Sequence, residues 1–288
     1  MDGSFSMIKY DFSHAFANVL GVNVSAIDLQ AAVTLADQWI SSVGGNGYIC
    51  ATGVHGVMEA HADPELRRIL KQAFINAPDG MPMVWVGRLQ GFRNMDRVFG
   101  PDLMLALCQL SVERGYRNFL YGGKPGVAEQ LSANLQKRLP GLQVVGTYTP
   151  PFRSLTPEEE KGVVSQLRES RPHILWVGLS TPKQERFMAQ YVDRFQVPLM
   201  VGVGAAFDYH TGSIRDSSPW VKRAGLQWLH RLLQDPRRLW RRYLRHNPAF
   251  LWHITCQLTQ LRRYPAGTAS PPGGAPAVEA SRNEMFLG

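Results

Sequence analysis

The sequence predicts an α/β protein: a Rossmann-like, mostly parallel sheet with helices on both faces, followed by a basic helical appendage at the C-terminus. Short β-prone runs alternate with segments whose apolar residues have helical spacing, which is typical of crossover connections between parallel strands. Two runs, 173–179 and 197–203, are continuously apolar, as expected for strands buried on both faces. The appendage is predicted because most of the excess positive charge lies near the C-terminus.

Composition supports a folded domain. The chain of 288 residues is 44% apolar and 19% charged, enough to bury one sizeable core. No apolar segment approaches the roughly 18–20 residues that span a bilayer, and the first 20 residues lack the apolar block of a signal peptide. The three cysteines are scattered, which favours reduced thiols in a cytoplasmic setting and argues against disulfides or a zinc site.

The predicted elements follow one another in order. Residues 1–23 give weak signals and are predicted to form an N-terminal arm. The core is predicted over 24–215, the basic appendage over 216–264 and a disordered tail over 265–288. Within the core we predict strands at 48–51, 83–86, 118–121, 142–145, 173–179 and 197–203, and helices at 27–43, 101–114, 125–139 and from 157 onward.

Asp79 lies between Pro78 and Gly80, immediately before the run predicted as the strand 83–86. Proline fixes its own φ and glycine accepts angles that other residues resist, so a tight turn should present the Asp79 carboxylate. Such a carboxylate could accept a proton from a ligand, or it could only hydrogen-bond its own turn. Asp79 would reach a ligand only if that turn folds back over the sheet.

Small residues end several predicted strands, at 52–53, 122–124, 178–181 and 202–204. In open parallel sheets ligands bind beyond the carboxyl ends of the strands, so these ends should meet around a pocket. Gly122 and Gly123 could offer backbone N–H groups to a phosphate, although a plain tight turn explains them equally well. The run 202–207 lacks the third glycine of the dinucleotide fingerprint, which argues against a nicotinamide cofactor.

Two polar residues follow these strand ends. Thr181, Pro182 and Gln184 have the spacing of a helix start, in which Gln184 closes a capping box. The second interpretation of Gln184 is that its side chain contacts a ligand. Asp208 could accept from a ribose or a base, or could be another N-cap.

The segment 219–264 contains ten lysines and arginines against one acid, a net charge of +9, whereas the chain as a whole carries +8. Asp235 is predicted to cap a helix that begins at Pro236. On that helix the arginines 238, 241, 242 and 245 share one face, opposite Leu239, Trp240, Tyr243 and Leu244. Such a helix could lie on an anionic membrane, or dock on the core and direct arginines at a diphosphate. Nucleic acid is a third option, but no helix-turn-helix or RNA-binding signature accompanies it.

Together these motifs resemble the WecG/TagA/CpsF glycosyltransferases of bacterial cell-surface polysaccharide synthesis, from about residue 24 to 250. The matching motifs are 78–80 (Pro-Asp-Gly), 97–102 (Arg-Val-Phe-Gly-Pro-Asp), 121–123 (Tyr-Gly-Gly), 178–185 (Gly-Leu-Ser-Thr-Pro-Lys-Gln-Glu), 202–208 (Gly-Val-Gly-Ala-Ala-Phe-Asp), 225–231 (Gly-Leu-Gln-Trp-Leu-His-Arg) and 235–238 (Asp-Pro-Arg-Arg). The stretch 52–58 (Thr-Gly-Val-His-Gly-Val-Met) is similar to the exopolysaccharide-cluster branch, such as the xanthan-type glucosyltransferase, and differs from the Thr-x-Asn form of other branches.

The resemblance implies an inverting, metal-independent transfer from a nucleotide-sugar, expected to be a UDP-sugar, to an undecaprenyl-diphosphate-linked saccharide. Asp79 matches the family's catalytic base, and Thr52 and Arg97 match its pocket residues. Gln184 and Asp208 match its nucleotide-site residues. The appended arginines that close over the donor diphosphate correspond to Arg231, Arg238 and Arg241. The expected location is peripheral, at the inner face of the cell membrane, with an anionic membrane surface as a partner, no nucleic acid, and a homo-oligomer left open.

The chemistry of the residues agrees with this implication. A sugar hydroxyl is a poor nucleophile, and a positioned carboxylate that removes its proton contributes roughly 10²–10⁴-fold. The leaving diphosphate gains charge that a metal or clustered arginines must stabilise, and the chain has no Asp-x-Asp metal motif. No metal site or cofactor is therefore predicted. Two alternatives stay open from the sequence, a nucleotide- or nucleic-acid-binding module without turnover and a sugar-nucleotide dehydrogenase.

Overall fold

The computed structural model describes residues 14–42 and 45–266 and confirms the α/β class. Six parallel strands form the central sheet in the order β4-β3-β8-β7-β5-β6, and β1 and β2 form a separate antiparallel hairpin. The strands are β1 (Phe16–Val19), β2 (Val22–Ser25), β3 (Gly47–Thr52), β4 (Ile75–Pro78), β5 (Arg117–Gly122), β6 (Gln143–Tyr148), β7 (Ile174–Gly178) and β8 (Leu199–Gly202). Because all six strands of the sheet are parallel, their carboxyl ends lie along one edge.

Helices connect these strands and follow the last one. They are α1 (Leu29–Ser41), α2 (Val54–Ala62), α3 (Pro64–Gln72), α4 (Met81–Leu89), α5 (Gly100–Arg114), α6 (Val127–Arg138), α7 (Pro157–Ser170), α8 (Lys183–Phe195), α9 (Ala206–His210), α10 (Pro219–Arg223), α11 (Gln227–Gln234) and α12 (Pro236–Leu258). Within the described residues, no helix is both long enough and apolar enough to cross a membrane.

One strand was assigned wrongly from the sequence. The run 83–86 is part of helix α4, and the strand lies just before it, at Ile75–Pro78. Asn76 and Pro78 weaken the strand signal of β4 in the sequence, because both residue types are uncommon inside strands. Pro78 is tolerated because β4 is an edge strand and Pro78 is its last residue. Pro82 is at the start of α4, where proline is favoured, and this was the signal that could have identified the helix.

The predicted N-terminal arm is partly core. Residues 1–13 lie outside the described residues, but β1 and β2 pack tightly, with Ala17, Val19 and Val22 buried. The side chain of Asn76 donates to the carbonyl oxygen of Asn23 (2.8 Å), which attaches the hairpin to β4. The predicted boundary after residue 23 therefore falls inside β2. The tail predicted over 265–288 lies outside the described residues from 267 onward.

Apolar side chains cover both faces of the sheet. Helices α1, α5, α6 and α9 contribute to the cluster on one face, which includes Trp176 and Val201 from the sheet. The hairpin and helices α2, α3, α4, α7, α8 and α12 contribute to the other cluster, with Leu175 and Met200. Successive residues of β7 and β8 thus point into different apolar layers, which explains why those runs are continuously apolar.

The appendage is packed on the core. Helix α12 contacts α2, and it buries Leu239, Phe250 and Ile254. Asp235 is at the N-cap position of α12 as predicted, but its side chain accepts from Arg238 Nε (2.5 Å) and makes no capping hydrogen bond. The predicted apolar face of α12 is divided, because Leu239 is buried whereas Trp240 and Leu244 are exposed.

Candidate active site

The carboxyl ends of the strands open into a cleft of about 1320 Å³. Residues that follow β3, β4, β5, β7 and β8 form its floor, and α10, α11 and α12 supply the opposite wall. Of the predicted site residues, seven line this cleft: Asp79, Arg97, Gly123, Gln184, Asp208, Arg231 and Arg238. Thr52, Gly122 and Arg241 are not in its lining.

Asp79 reaches the ligand edge because it directly follows β4. Its backbone N–H donates to the carbonyl oxygen of Thr52 (3.0 Å), and Gly80, with φ of 123°, turns the chain into α4. The chain ends are so close that a Cβ on Gly53 would lie 2.5 Å from the Asp79 carbonyl oxygen. With a strand at 83–86, the turn would have had to fold back over the sheet to bring Asp79 to this edge. Because the strand is Ile75–Pro78 instead, Asp79 lies at the edge without that folding back.

Asp79 is half-buried at the cleft wall, and its carboxyl group is shielded from solvent. Burial raises the pKa of this carboxyl from 3.8 to about 6, and the charges of Arg97 and Arg231 oppose part of that rise. A carboxylate with a pKa near neutrality is ionised at pH 7 and is a stronger base than an ordinary aspartate. The Asp79 side chain can therefore accept a proton from a group bound in the cleft.

Arg97 connects the core to the appendage. Its guanidinium donates to Gln227 Oε1 in α11 (2.5 Å) and lies 3.6 Å from Asp102. It also lies 4.5 Å above the ring of Phe99. With its side chain only 10% exposed, Arg97 is held in a fixed position beside Asp79.

The predicted capping box at Thr181 and Gln184 is wrong. Helix α8 begins at Lys183, and the Thr181 hydroxyl donates to Glu185 Oε1 (2.9 Å) instead of accepting from the helix backbone. Gln184 Nε2 donates to the same oxygen (3.0 Å). Glu185 is buried, so the predicted N-cap Thr181 and the predicted contact residue Gln184 both bind a buried carboxyl group to which sequence reasoning gave no role of its own. Burial also raises the pKa of Glu185, whereas the hydrogen bonds from Gln184 and Thr181 lower it.

The glycines after β5 have different roles. Gly122 (φ 126°) allows β5 to approach β7, because a Cβ there would lie 2.6 Å from the Gly178 carbonyl oxygen. Gly123 lines the cleft, but its N–H donates to that same carbonyl (3.1 Å) and is not free for a phosphate. The phosphate cradle considered from the sequence is therefore absent at Gly123. Asp208 lies inside α9 and lines the cleft, so it is not an N-cap.

The arginines of the appendage divide into two groups. Arg231 and Arg238 line the cleft, and the Arg231 guanidinium lies 5.7 Å from the Tyr209 ring centroid. Arg241 is exposed and lies over Trp240. Its neighbour Arg242 lines the cleft instead, and burial lowers the pKa of its guanidinium to about 10. Among the described residues no hydrogen-bond partner is found for Arg242 Nε.

Beside Arg242 the structure brings together three side chains that the sequence places far apart. His55 and Glu59 are in α2 and His246 is in α12. Glu59 Oε1 lies 3.7 Å from His55 Nδ1 and 3.4 Å from His246 Nε2. Burial lowers the pKa of His55 to about 3, and Arg242 contributes to that lowering. The i, i+4 spacing of His55 and Glu59 was the only signal in the sequence.

The mouth of the cleft is apolar and exposed. Large side chains that line the cleft and remain at least a third exposed are Trp85, Leu89, Phe152, Leu226, Trp228, Leu251 and Leu258. Soluble proteins seldom group so many exposed aromatic and aliphatic side chains unless they contact an apolar partner. A polar floor and an apolar mouth are therefore parts of one site.

A Rossmann-like sheet with a basic carboxylate and several arginines at its carboxyl edge defines a class of protein, a group-transfer enzyme for an anionic donor. Comparison with known sequences is more specific. Residues 17–264 match the model of the family described as "Glycosyl transferase WecG/TagA/CpsF family". The chain belongs to this family and is a glycosyltransferase.

The chain is also similar to a curated protein of Bacillus spizizenii, the N-acetylglucosaminyldiphosphoundecaprenol N-acetyl-beta-D-mannosaminyltransferase. The two are 30% identical over 186 residues, which cover 65% of this chain and 70% of the relative. The family resemblance predicted from the motifs is confirmed. Membership in an enzyme family decides against a binding module without turnover.

Proposed function

We propose that this protein transfers a sugar from a UDP-sugar to a hydroxyl of an undecaprenyl-diphosphate-linked saccharide, with inversion at the anomeric carbon, during exopolysaccharide or other cell-surface polysaccharide synthesis. The observation that carries the proposal is the Asp79 carboxyl at the cleft wall, with a pKa near 6 and with Arg97 and Arg231 nearby. The name of the Bacillus relative, which describes transfer to N-acetylglucosaminyldiphosphoundecaprenol, supports the acceptor class.

Asp79 is the general base in this proposal. Its carboxylate removes the proton of the acceptor hydroxyl as the oxygen attacks the anomeric carbon, and the bond from that carbon to the nucleoside diphosphate breaks. A single displacement of this kind inverts the anomeric configuration. Arg97 holds the acceptor side of the cleft in place, because its hydrogen bond to Gln227 links the core wall to α11.

Arginines stabilise the leaving diphosphate. Arg231, Arg238 and Arg242 line the cleft on the appendage side, and guanidinium groups bind phosphate oxygens through charge-assisted hydrogen bonds. Gln184 and Asp208, at the strand ends across the cleft, bind the nucleoside. We propose that this chemistry needs no metal ion at the diphosphate, because the arginines supply the positive charge that Mg²⁺ or Mn²⁺ supplies elsewhere.

The protein works as a peripheral enzyme at the cytoplasmic face of the membrane in this proposal. On the part of α12 outside the cleft lining, Trp240 and Leu244 are exposed, as are Arg237 and Arg241. Exposed tryptophan and leucine with adjacent arginines favour binding to an anionic bilayer surface. The apolar cleft mouth would then meet the lipid-linked acceptor at the bilayer.

A matrix of donors and acceptors tests the proposal. UDP-sugars, and the matching GDP- or CDP-sugars, are incubated with undecaprenyl-diphosphate-linked saccharides in anionic vesicles, and the lipid product is analysed by mass spectrometry and by NMR of the new anomeric proton. We expect one sugar to be added from a UDP-sugar with inverted configuration. Transfer from GDP- or CDP-sugars only, or retention of configuration, would contradict the proposal. Added NAD should have no effect, whereas a dehydrogenase would require it.

A further inference from the structure

We propose that His55, Glu59 and His246 form a binding site for one transition-metal ion of the zinc type, which fastens helix α12 to helix α2. The site is separate from the chemistry proposed for the diphosphate. It uses two imidazoles and one carboxylate, a donor set that zinc accepts in proteins.

The first argument is the geometry of the three donor atoms. Glu59 Oε1 lies 3.7 Å from His55 Nδ1 and 3.4 Å from His246 Nε2, and all three donor atoms lie within 4.8 Å of one another. With zinc–ligand bonds of about 2.0–2.2 Å, tetrahedral geometry places donor atoms roughly 3.4 Å apart. Two of the three separations are thus close to that value before any ion is present. The two imidazole rings meet edge to face at 4.9 Å between centroids.

The second argument is the hydrogen bonding of His55. Nδ1 of this ring is buried and has no hydrogen-bond partner among the described residues, although Glu59 Oε1 lies 3.7 Å from it. At 3.7 Å the two atoms are too far apart for a hydrogen bond, so Nδ1 is not committed to another partner and is available as a metal ligand. A buried polar atom without a partner is costly, and a cation between Nδ1 and the Glu59 carboxylate would satisfy both.

The charges nearby select the kind of metal. Glu59 is the one carboxylate of the group, and the positive charge of Arg242 acts on both His55 and His246. Arg242 therefore weakens any purely electrostatic binding. Hard ions such as Mg²⁺ and Ca²⁺, which prefer several oxygens, fit the site poorly, whereas Zn²⁺, Co²⁺ and Ni²⁺ form strong bonds to imidazole.

The position of the site indicates what a bound ion does. Helix α2 directly follows β3 in the core, and α12 carries Arg238 and Arg242 into the cleft. An ion held by residues of both helices fixes the appendage against the core at the edge of the cleft. Its loss should loosen α12 without removing any group that we assign to the reaction.

Metal binding by the full-length protein tests the inference. The protein is freed of metal with a chelator and titrated with ZnCl₂ by calorimetry, and CoCl₂ is used as a spectroscopic probe. We expect one ion per chain, visible d–d absorption from Co²⁺, and a higher melting temperature with Zn²⁺ than without it. Glu59→Gln and His246→Ala should each weaken Zn²⁺ binding at least about tenfold, because each removes a ligand.

His253→Ala is the matched control. His253 is on α12 and contacts His61 of α2 at 4.7 Å between ring centroids, but it is outside the three-residue group. This variant should bind Zn²⁺ like the wild type. If the wild type shows no saturable Zn²⁺ binding, or if Glu59→Gln binds Zn²⁺ as tightly as the wild type, the inference is overturned. Glu59→Gln keeps the size of the side chain, so it answers the question even if His246→Ala fails to fold. Failure of this test leaves the proposed sugar transfer unaffected, because that reaction is assayed independently.

Discussion

The N–H of Asp79 donates to the carbonyl oxygen of Thr52 across 3.0 Å, so that the end of β4 is tied to the end of β3. Thr52 is itself buried and outside the cleft lining. Its contribution to the site is therefore positional: its backbone holds Asp79 at the cleft wall. A role for the Thr52 side chain in contact with ligand, which the family resemblance implies, stays a prediction.

Replacement of Asp79 by asparagine should remove the base and leave the site otherwise intact. We expect a loss of about 10²–10⁴-fold in kcat, with UDP affinity within about threefold of the wild type. Rates from single-turnover transfer and affinities from calorimetry check this. Asp193→Asn, which changes an exposed residue of α8 outside the cleft lining, is the control and should retain activity. Near-normal turnover by Asp79→Asn would exclude Asp79 as the base.

The same substitution should stabilise the protein at neutral pH. The Asp79 pKa is higher in the folded state than its usual 3.8, so the neutral form favours folding; this stabilisation is present below about pH 4 and is lost as the pH rises through about 6. Asparagine stays neutral, and Asp79→Asn should raise the free energy of unfolding at pH 7.5 by about 1–3 kcal/mol. Urea denaturation at pH 7.5 and pH 4 measures it, and the gain should vanish at the lower pH. An equal gain at both pH values would refute the buried-carboxylate explanation.

The pH dependence of transfer should report the same group. Since the base must be ionised, kcat/KM should rise tenfold per pH unit below about pH 6 and level off above it. Initial rates between pH 4.5 and 8.5 give the profile. The residual kcat/KM of Asp79→Asn should not show this rise with pH. If the rise persists in the variant, it is due to the titration of another group.

The two adjacent arginines of α12 provide a test of which one meets the donor. Arg242→Gln should weaken UDP binding by about tenfold or more, because a hydrogen bond to a charged group contributes about 1.5–3 kcal/mol. Arg241→Gln should have a smaller effect, because Arg241 is exposed and outside the cleft lining. Arg237→Gln, at another exposed position of α12, controls for net charge. A larger loss for Arg241→Gln than for Arg242→Gln would favour the position implied by the family resemblance.

Transfer should not depend on Mg²⁺ or Mn²⁺. After treatment with EDTA and its removal, addition of either ion should change the initial rate by less than about twofold, since arginines stabilise the leaving group. Zn²⁺ is added in a parallel series. If EDTA treatment lowers the initial rate and only Zn²⁺ restores it, the effect would be assigned to the site between α2 and α12. A strict requirement for Mg²⁺ or Mn²⁺ would contradict the arginine proposal.

The exposed face of α12 should be needed for membrane binding. Trp240 and Leu244 are 45% and 66% exposed, and changing both to serine should weaken binding to anionic vesicles at least about tenfold by removing apolar contact area. Sedimentation with vesicles measures this, at unchanged circular dichroism. Val112→Ser, a partly exposed apolar residue of α5, should bind like the wild type. Equal sedimentation of the double variant would place the membrane contact elsewhere.

The sequence by itself determined the fold class, the family and most of the strands. Continuous apolar runs such as those of β7 and β8 are visible without any structure, because burial on both faces requires apolar residues at every position. The family motifs are similarly local, and they identified Asp79, Arg97 and Gln184, all of which the structure places in one cleft.

Only the tertiary structure decided where these residues lie relative to one another. It moved the strand from 83–86 to Ile75–Pro78, which puts Asp79 at the carboxyl edge, and it selected Arg242 over Arg241 for the cleft. It also assembled His55, Glu59 and His246 from two helices. A periodic pattern records how often a side chain is buried but not against which partner. His246 lies 187 positions after Glu59 and 191 after His55, so it meets them only when α12 packs on α2. The direction of each arginine and the pKa of Asp79 depend on that packing, so they could not be read from the order of the residues.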